Sequence, residues 1–100
     1  YTASRQRWPE YLDTQLALAN YHYAQQDLES ARLILEDTLT RHPDSAIAHN
    51  NLAQVLLELS QLTAAKYHAE MAVQKGGPFI DTARRTLSEI NQAIKEGTSR

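Results

Sequence analysis

Four histidines are the side chains of this sequence best suited to hold a metal ion, but their spacing argues against such a site. They are His22, His42, His49 and His68. No two of them have the i, i+4 spacing that places a pair of zinc ligands on one helix face, and the sequence contains no cysteine. We therefore predict no metal site and no cofactor. We expect His22 and His49 to be semi-buried rings that replace aromatic packing, so acid would destabilise the fold by charging them.

Residues that could catalyse a reaction are present without a catalytic pattern. Serine, histidine and acidic side chains occur along the chain, but no motif places them in a nucleophile turn. The sequence predicts no catalytic residue and no enzyme activity. Tyr11, Tyr21, Tyr23 and Tyr67 offer rings for base stacking, but they fall on different helix faces and no basic stripe accompanies them. Nucleic-acid binding is therefore not expected.

Length and composition predict one small helical domain. One hundred residues can bury a modest core, and the formal net charge of −2 favours neither nucleic acid nor an anionic membrane as a partner. No apolar run is long enough to span a bilayer. The chain opens with Tyr1 and not with methionine, so we expect it to be a piece of a longer protein.

Five segments carry apolar residues at the i, i+3, i+4, i+7 spacing of amphipathic helices, and no segment alternates like a strand. Helix starts are indicated by Pro9, Asp27 and Asp44, and helix ends by Pro43 and by the Gly76-Gly77-Pro78 turn. The predicted organisation is a leader or the end of a preceding element (1–8), a first helical repeat (9–43), a second helical repeat (44–78), a capping helix (79–96) and a disordered tail (97–100).

The two predicted repeats are related by an offset of 34 residues. Leu18-Ala19 aligns with Leu52-Ala53, and Ala31 aligns with Ala65. Helix propensity gives no reason for alanine to recur at a fixed period, whereas two helices approach closely only where side chains are small. We therefore predict that these four alanines mark the helix crossing points within each hairpin.

These positions, together with Leu35, Pro43 and Ala72, resemble the tetratricopeptide repeat, whose period is about 34 residues. The resemblance covers residues 12 to about 78, with the last helix as a cap. Gln15 and His49 depart from the tryptophan that is common in the family, and Gln26 and Ser60 replace its loop glycine. The resemblance implies an all-α fold, in which five antiparallel helices form a right-handed α-α superhelix. Its concave groove, lined by the first helix of each pair, would bind a peptide or partner protein.

The resemblance also implies which residues line this groove. Asparagine and glutamine both donate and accept hydrogen bonds, which suits a peptide backbone, and arginine suits a carboxylate. The residues expected to bind are Asn20, Asn50, Asn51, Gln54, Arg84 and Arg85. Asn20, Asn51 and Arg85 fall on three of the five positions with which part of the family holds acidic C-terminal tails. Leu16 and Asp81 replace the lysines of that clamp, so an acidic-tail clamp is not predicted.

Two alternatives remain beside this interpretation. The stretch from Asn50 to Leu56, with Ala72-Val73 and the Gly76-Gly77-Pro78 turn, is similar to the C-terminal repeats of some bacterial papain-like peptidase lipoproteins. That similarity implies an accessory domain of a larger enzyme. The other alternative is self-association of the domain through an end hairpin, which would make it a homo-oligomer or scaffold element.

Overall fold

The structure is a computed structural model that describes the backbone of residues 2–98 and the side chains of residues 12–97. Its five α-helices are α1 (Thr2–Ala24), α2 (Leu28–Arg41), α3 (Ala46–Glu58), α4 (Leu62–Lys75) and α5 (Ile80–Thr98), and a 3-10 turn at Gly77–Phe79 leads into α5. None of the described residues lies in a strand. The prediction of an all-α fold with five helices is confirmed.

The outermost helices are longer than the sequence pattern predicted. Helix α1 begins at Thr2 instead of Pro9, and α5 continues to Thr98 instead of ending near Glu96. The apolar stripe that located these helices is weakest at their ends, so their outer bounds were poorly predicted. The division of the chain at residues 8 and 97 stays a prediction, and residues 1, 99 and 100 lie outside the described residues.

The turns inside the two hairpins have the same backbone geometry 34 residues apart. Gln26 has φ 64° and Ser60 has φ 63°. In the first turn, Asp27 N donates to His22 O at 2.9 Å. In the second, Gln61 N donates to Leu56 O at 2.9 Å. Both turns therefore end their helix with a left-handed residue and a hydrogen bond that reaches back five residues, as in a Schellman motif.

Asp27, Ser45 and Gln61 directly precede α2, α3 and α4, respectively. The first two cap their helix with a side-chain hydrogen bond. The Asp27 carboxylate accepts from Ser30 N at 3.3 Å, and Ser45 Oγ accepts from Ala48 N at 3.1 Å. Gln61 stands before α4 without a side-chain hydrogen bond to the helix. The start of α4 thus lacks a contact that typically stabilises a helix by about 1 kcal/mol.

Small side chains lie where the helices pack. Ala19, Ala31, Ala53 and Ala65 are all at most 1% exposed, which confirms that the repeated alanines are core residues. Helix α1 packs on α2, α3 packs on both α2 and α4, and α5 packs on α4 and α3. We call α1, α3 and α5 the inner helices, and α2 and α4 the outer helices. None of the described helices is long and apolar enough to cross a membrane.

Candidate functional site

Helix α3 packs against α2, α4 and α5, and it reaches solvent mainly along one stripe of four residues, three of which are polar. Seven of its residues are buried. Ile47, Asn51 and Gln54 are partly exposed, and Glu58 is exposed. The spacing 47, 51, 54, 58 follows one face of a helix. We define the inner face as this stripe together with the exposed side chains of α1 and α5 that flank it.

Helix α1 joins the inner face through its last two turns. Asn20 is exposed, and the Tyr23 hydroxyl donates to Glu58 Oε2 of α3. This hydrogen bond raises the pKa of Tyr23 to about 12, with further contributions from partial burial and from the carboxylates of Glu58 and Glu89. The Tyr23–Glu58 hydrogen bond joins the last turns of α1 and α3, at one end of the inner face.

Helix α5 meets α3 at Thr86. Gln54 Nε2 donates to Thr86 Oγ1 at 3.4 Å, and the Thr86 hydroxyl donates in turn to Thr82 O at 3.1 Å. Thr86 is buried, whereas the next residue towards the N-terminus, Arg85, is exposed. Arg85 is therefore exposed to solvent, about 100° around α5 from the residue that meets α3.

Arg84 lies on a different flank of α5 from Arg85. Consecutive residues are about 100° apart around a helix, and Arg84 is about 160° from Thr86, which faces α3. Arg84 instead borders a shallow depression formed entirely by α5. The other residues that line this depression are Leu87, Ser88, Asn91, Gln92 and Lys95. Arg84 and Arg85 thus lie on different flanks of α5.

Asn50 is buried and does not lie on the open surface. Only 6% of the residue is exposed, and its Oδ1 has no hydrogen-bond partner among the described residues. Asn50 lies one turn before Gln54, on the flank of α3 that meets α5. Asn50 is therefore closed off from solvent, in contrast to the partly exposed Asn51 beside it.

The sequence pattern failed to indicate three residues that organise the inner face. Tyr23 was considered only as an aromatic ring, and Glu58 and Thr86 were not singled out. The signal that would have found Tyr23 and Glu58 is their place in the last turns of α1 and α3, because equivalent helices of successive repeats lie side by side. Thr86 gave no comparable signal, since the 34-residue relation links only the two repeats that precede α5.

The repeat geometry agrees with a comparison of the sequence with protein families. The family model described as tetratricopeptide repeat matches residues 16–78. The chain belongs to the tetratricopeptide repeat family. Tetratricopeptide repeats are in general non-catalytic modules for protein–protein interaction. A comparison with curated proteins gave no match.

The histidines of this tetratricopeptide repeat domain are spread over several elements. His22 Nδ1 lies 3.5 Å from an Asp27 carboxylate oxygen, and His49 is buried against His68. Within the described part of the chain, no three histidine or acidic side chains lie close enough to hold a metal ion. His22 is semi-buried, as expected, and His49 is more deeply buried than expected.

Proposed function

We propose that this domain binds an extended peptide or a segment of a partner protein along the inner face. The observation that carries the proposal is the polar stripe of α3, which stays open to solvent although α2, α4 and α5 pack against α3. A partner lying on this stripe would contact α1 on one side and α5 on the other. Family membership supports protein binding in general, and the stripe supports this location for it.

The chemistry of the inner face suits a peptide backbone. Within the described part of the chain, the Asn51 side chain makes no hydrogen bond, and the Gln54 side chain uses only its amide nitrogen, towards Thr86. Free amide oxygens and N–H groups can pair with the N–H and C=O groups of an extended chain. Asn20 and Arg85 extend this polar surface onto α1 and α5, and Arg85 is suited to a carboxylate of the partner.

Peptide selection followed by variant analysis tests this proposal. A peptide would be selected from a random library against the immobilised domain, and its affinity measured by calorimetry. We expect the double variant Asn51→Ala/Arg85→Ala to bind at least roughly tenfold more weakly, a loss of about 1.4 kcal/mol. Arg84→Ala is the matched control and should bind within about twofold of the unchanged domain. A folded double variant with unaltered affinity would overturn the proposal.

A second candidate function is self-association through the outer flank of α1. Leu18 and Tyr21 lie one turn apart on this helix and are 42% and 58% exposed. Two large exposed apolar side chains on one flank favour an intermolecular contact. Sedimentation at two protein concentrations tests this candidate: a mass that increases with concentration supports it, and a strict monomer contradicts it. An accessory role in a larger enzyme, such as a papain-like peptidase lipoprotein, stays a prediction from the sequence.

A further inference from the structure

Two histidines form a hydrogen-bonded pair between α3 and α4. His49 Nδ1 and His68 Nδ1 are 3.0 Å apart, and the two ring planes are inclined by 28° with their centroids 5.2 Å apart. His49 Nε2 lies 2.9 Å from Pro43 O, in the turn after α2. His49 is only 5% exposed and His68 is partly buried. The pair thus connects the two helices of the second hairpin to the preceding turn.

Both contacts together define the positions of the protons. The Pro43 carbonyl only accepts hydrogen bonds, so His49 carries its proton on Nε2. In a neutral His49 ring, Nδ1 is then an acceptor, and His68 Nδ1 carries the proton that it donates to His49. The neutral pair therefore satisfies every contact with one specific tautomer on each ring.

Protonation of either histidine of the neutral pair is unfavourable. A first proton on His68 Nε2 keeps the hydrogen bond but places a charge in a partly buried site. A second proton on His49 Nδ1 sets two N–H groups against each other, so the bond between α3 and α4 is lost. The ring of Tyr67, whose edge meets His68 with centroids 5.0 Å apart, limits the space into which His68 could move.

Charged groups around the pair only partly offset this penalty. Burial lowers the pKa of His68, His49 lowers it further, and Glu36 of α2 opposes the shift. Glu36 is already paired with Arg32 at 2.9 Å. In an unfolded chain the pKa of histidine is about 6.5.

The other charged or titratable groups to consider lie in the turn after α2 and on α5. In the turn, the Asp44 carboxylate lies 2.8 Å from Lys75 Nζ, which lowers the pKa of Asp44, and His42 is partly exposed. The charged side chains of α5 with described exposure are all on its solvent side; they are Asp81, Arg84, Arg85, Glu89, Lys95 and Glu96. Below a pH of about 6.5, an unfolded chain would thus bind a proton that the folded His68 binds less readily.

We propose that the His49–His68 pair is an acid-sensitive latch, which holds α3 against α4 at neutral pH and loosens this hairpin below about pH 6.5. The latch is separate from peptide binding and can be tested without a ligand. If the proposed function also holds, release of the latch weakens peptide binding, because α3 carries Asn51 and Gln54.

The tautomers are tested first, by NMR of the imidazole nitrogens in the unchanged protein at neutral pH. We expect the proton on Nε2 in His49 and on Nδ1 in His68. A titration of the same signals should give His68 a midpoint below about 6.5. The opposite tautomers, or a midpoint at or above this value, would overturn the latch without any substitution.

Thermal melting at about pH 7.5 and about pH 5.0 tests the consequence for stability. The unchanged protein should lose several degrees of Tm in acid, and His68→Gln should lose less than half as much. His22→Gln is the matched control, because His22 lies near Asp27 and far from the latch, and it should keep the full loss. An equal loss of Tm in His68→Gln and the unchanged protein contradicts the proposal. If His68→Gln does not fold, the NMR titration decides.

Discussion

Tyr23 of the first repeat donates a hydrogen bond to the carboxylate of Glu58 in the second. The two residues occupy the last turns of α1 and α3, so this contact joins the ends of equivalent helices. It also fixes the Tyr23 ring at the edge of the inner face. The hydroxyl group of Tyr23 therefore connects the two repeats.

Removal of this hydrogen bond should weaken the contact between repeats. Tyr23→Phe keeps the ring and removes the donor, so we expect the free energy of unfolding to fall by about 1 kcal/mol or less, since Glu58 is exposed to solvent. Urea denaturation measures this change. Tyr21→Phe, at an exposed tyrosine nearby, is the control and should leave stability unchanged.

The same contact predicts that the Tyr23 hydroxyl loses its proton at a higher pH than an ordinary tyrosine does. The pKa of Tyr23 is raised to about 12, so the folded state keeps the hydroxyl proton that an unfolded chain loses near pH 10. This contribution to stability is present below about pH 10 and is lost as the pH rises towards 12. The tyrosinate absorbance of the protein minus that of Tyr23→Phe should titrate near 12. In a Glu58→Gln background, that midpoint should move down towards 10, and an unmoved midpoint would contradict the assigned cause.

Overpacking tests the alanine contacts between helices. Ala65 is fully buried, whereas Ala64 is exposed on the same helix. Ala65→Leu should destabilise the domain by about 1–3 kcal/mol, because the helices would have to move apart. Ala64→Leu, with the same change in volume, should have little effect. Equal Tm values for the two variants would show that α4 does not pack closely at Ala65.

Glycine at the hairpin turns should stabilise the domain. Gln26 and Ser60 have φ near +64° and +63°, a conformation that costs a side-chain-bearing residue roughly 1–2 kcal/mol. Part of this gain is offset because glycine is more flexible in the unfolded chain. We expect Gln26→Gly and Ser60→Gly each to raise stability by about 0.5–1 kcal/mol, with additive effects on Tm. A lower Tm for both would contradict the turn geometry.

A missing helix cap offers a further test of the repeat. Asp27 and Gln61 are equivalent positions 34 residues apart, but only Asp27 accepts a hydrogen bond from its helix. Gln61→Asp should provide this cap and stabilise α4 by about 0.5–1 kcal/mol. Gln61→Ala is the control and should give no gain. If the aspartate variant is no more stable than the alanine variant, α4 does not start as described.

The fold was largely predictable because it depends on regularities that repeat along the chain. Ala31 and Ala65 marked the helix contacts through their period, and the Gly76-Gly77-Pro78 turn marked the end of α4. The start of α1 was not predictable in the same way, because the stripe of apolar residues weakens before Leu12 and Pro9 resembles a helix start.

The candidate site was less predictable, because burial depends on neighbouring helices that a single helix pattern does not show. Asn50 and Asn51 are adjacent and chemically identical, yet the first is buried towards α5 and the second is partly exposed. Arg84 and Arg85 are both exposed, but they lie on different flanks of α5, and only Arg84 borders the shallow depression on that helix. Which of the two asparagines reaches the inner face depends on how α5 sits against α3.

The most direct test of the inner face as a binding surface is NMR shift mapping with a selected peptide. We predict that the largest shifts occur in the side-chain amide signals of Asn20, Asn51 and Gln54 and in the backbone of their helices. Shifts concentrated on the outer helices, around Leu33 of α2 or Tyr67 of α4, with unshifted signals for these three amides, would contradict the account.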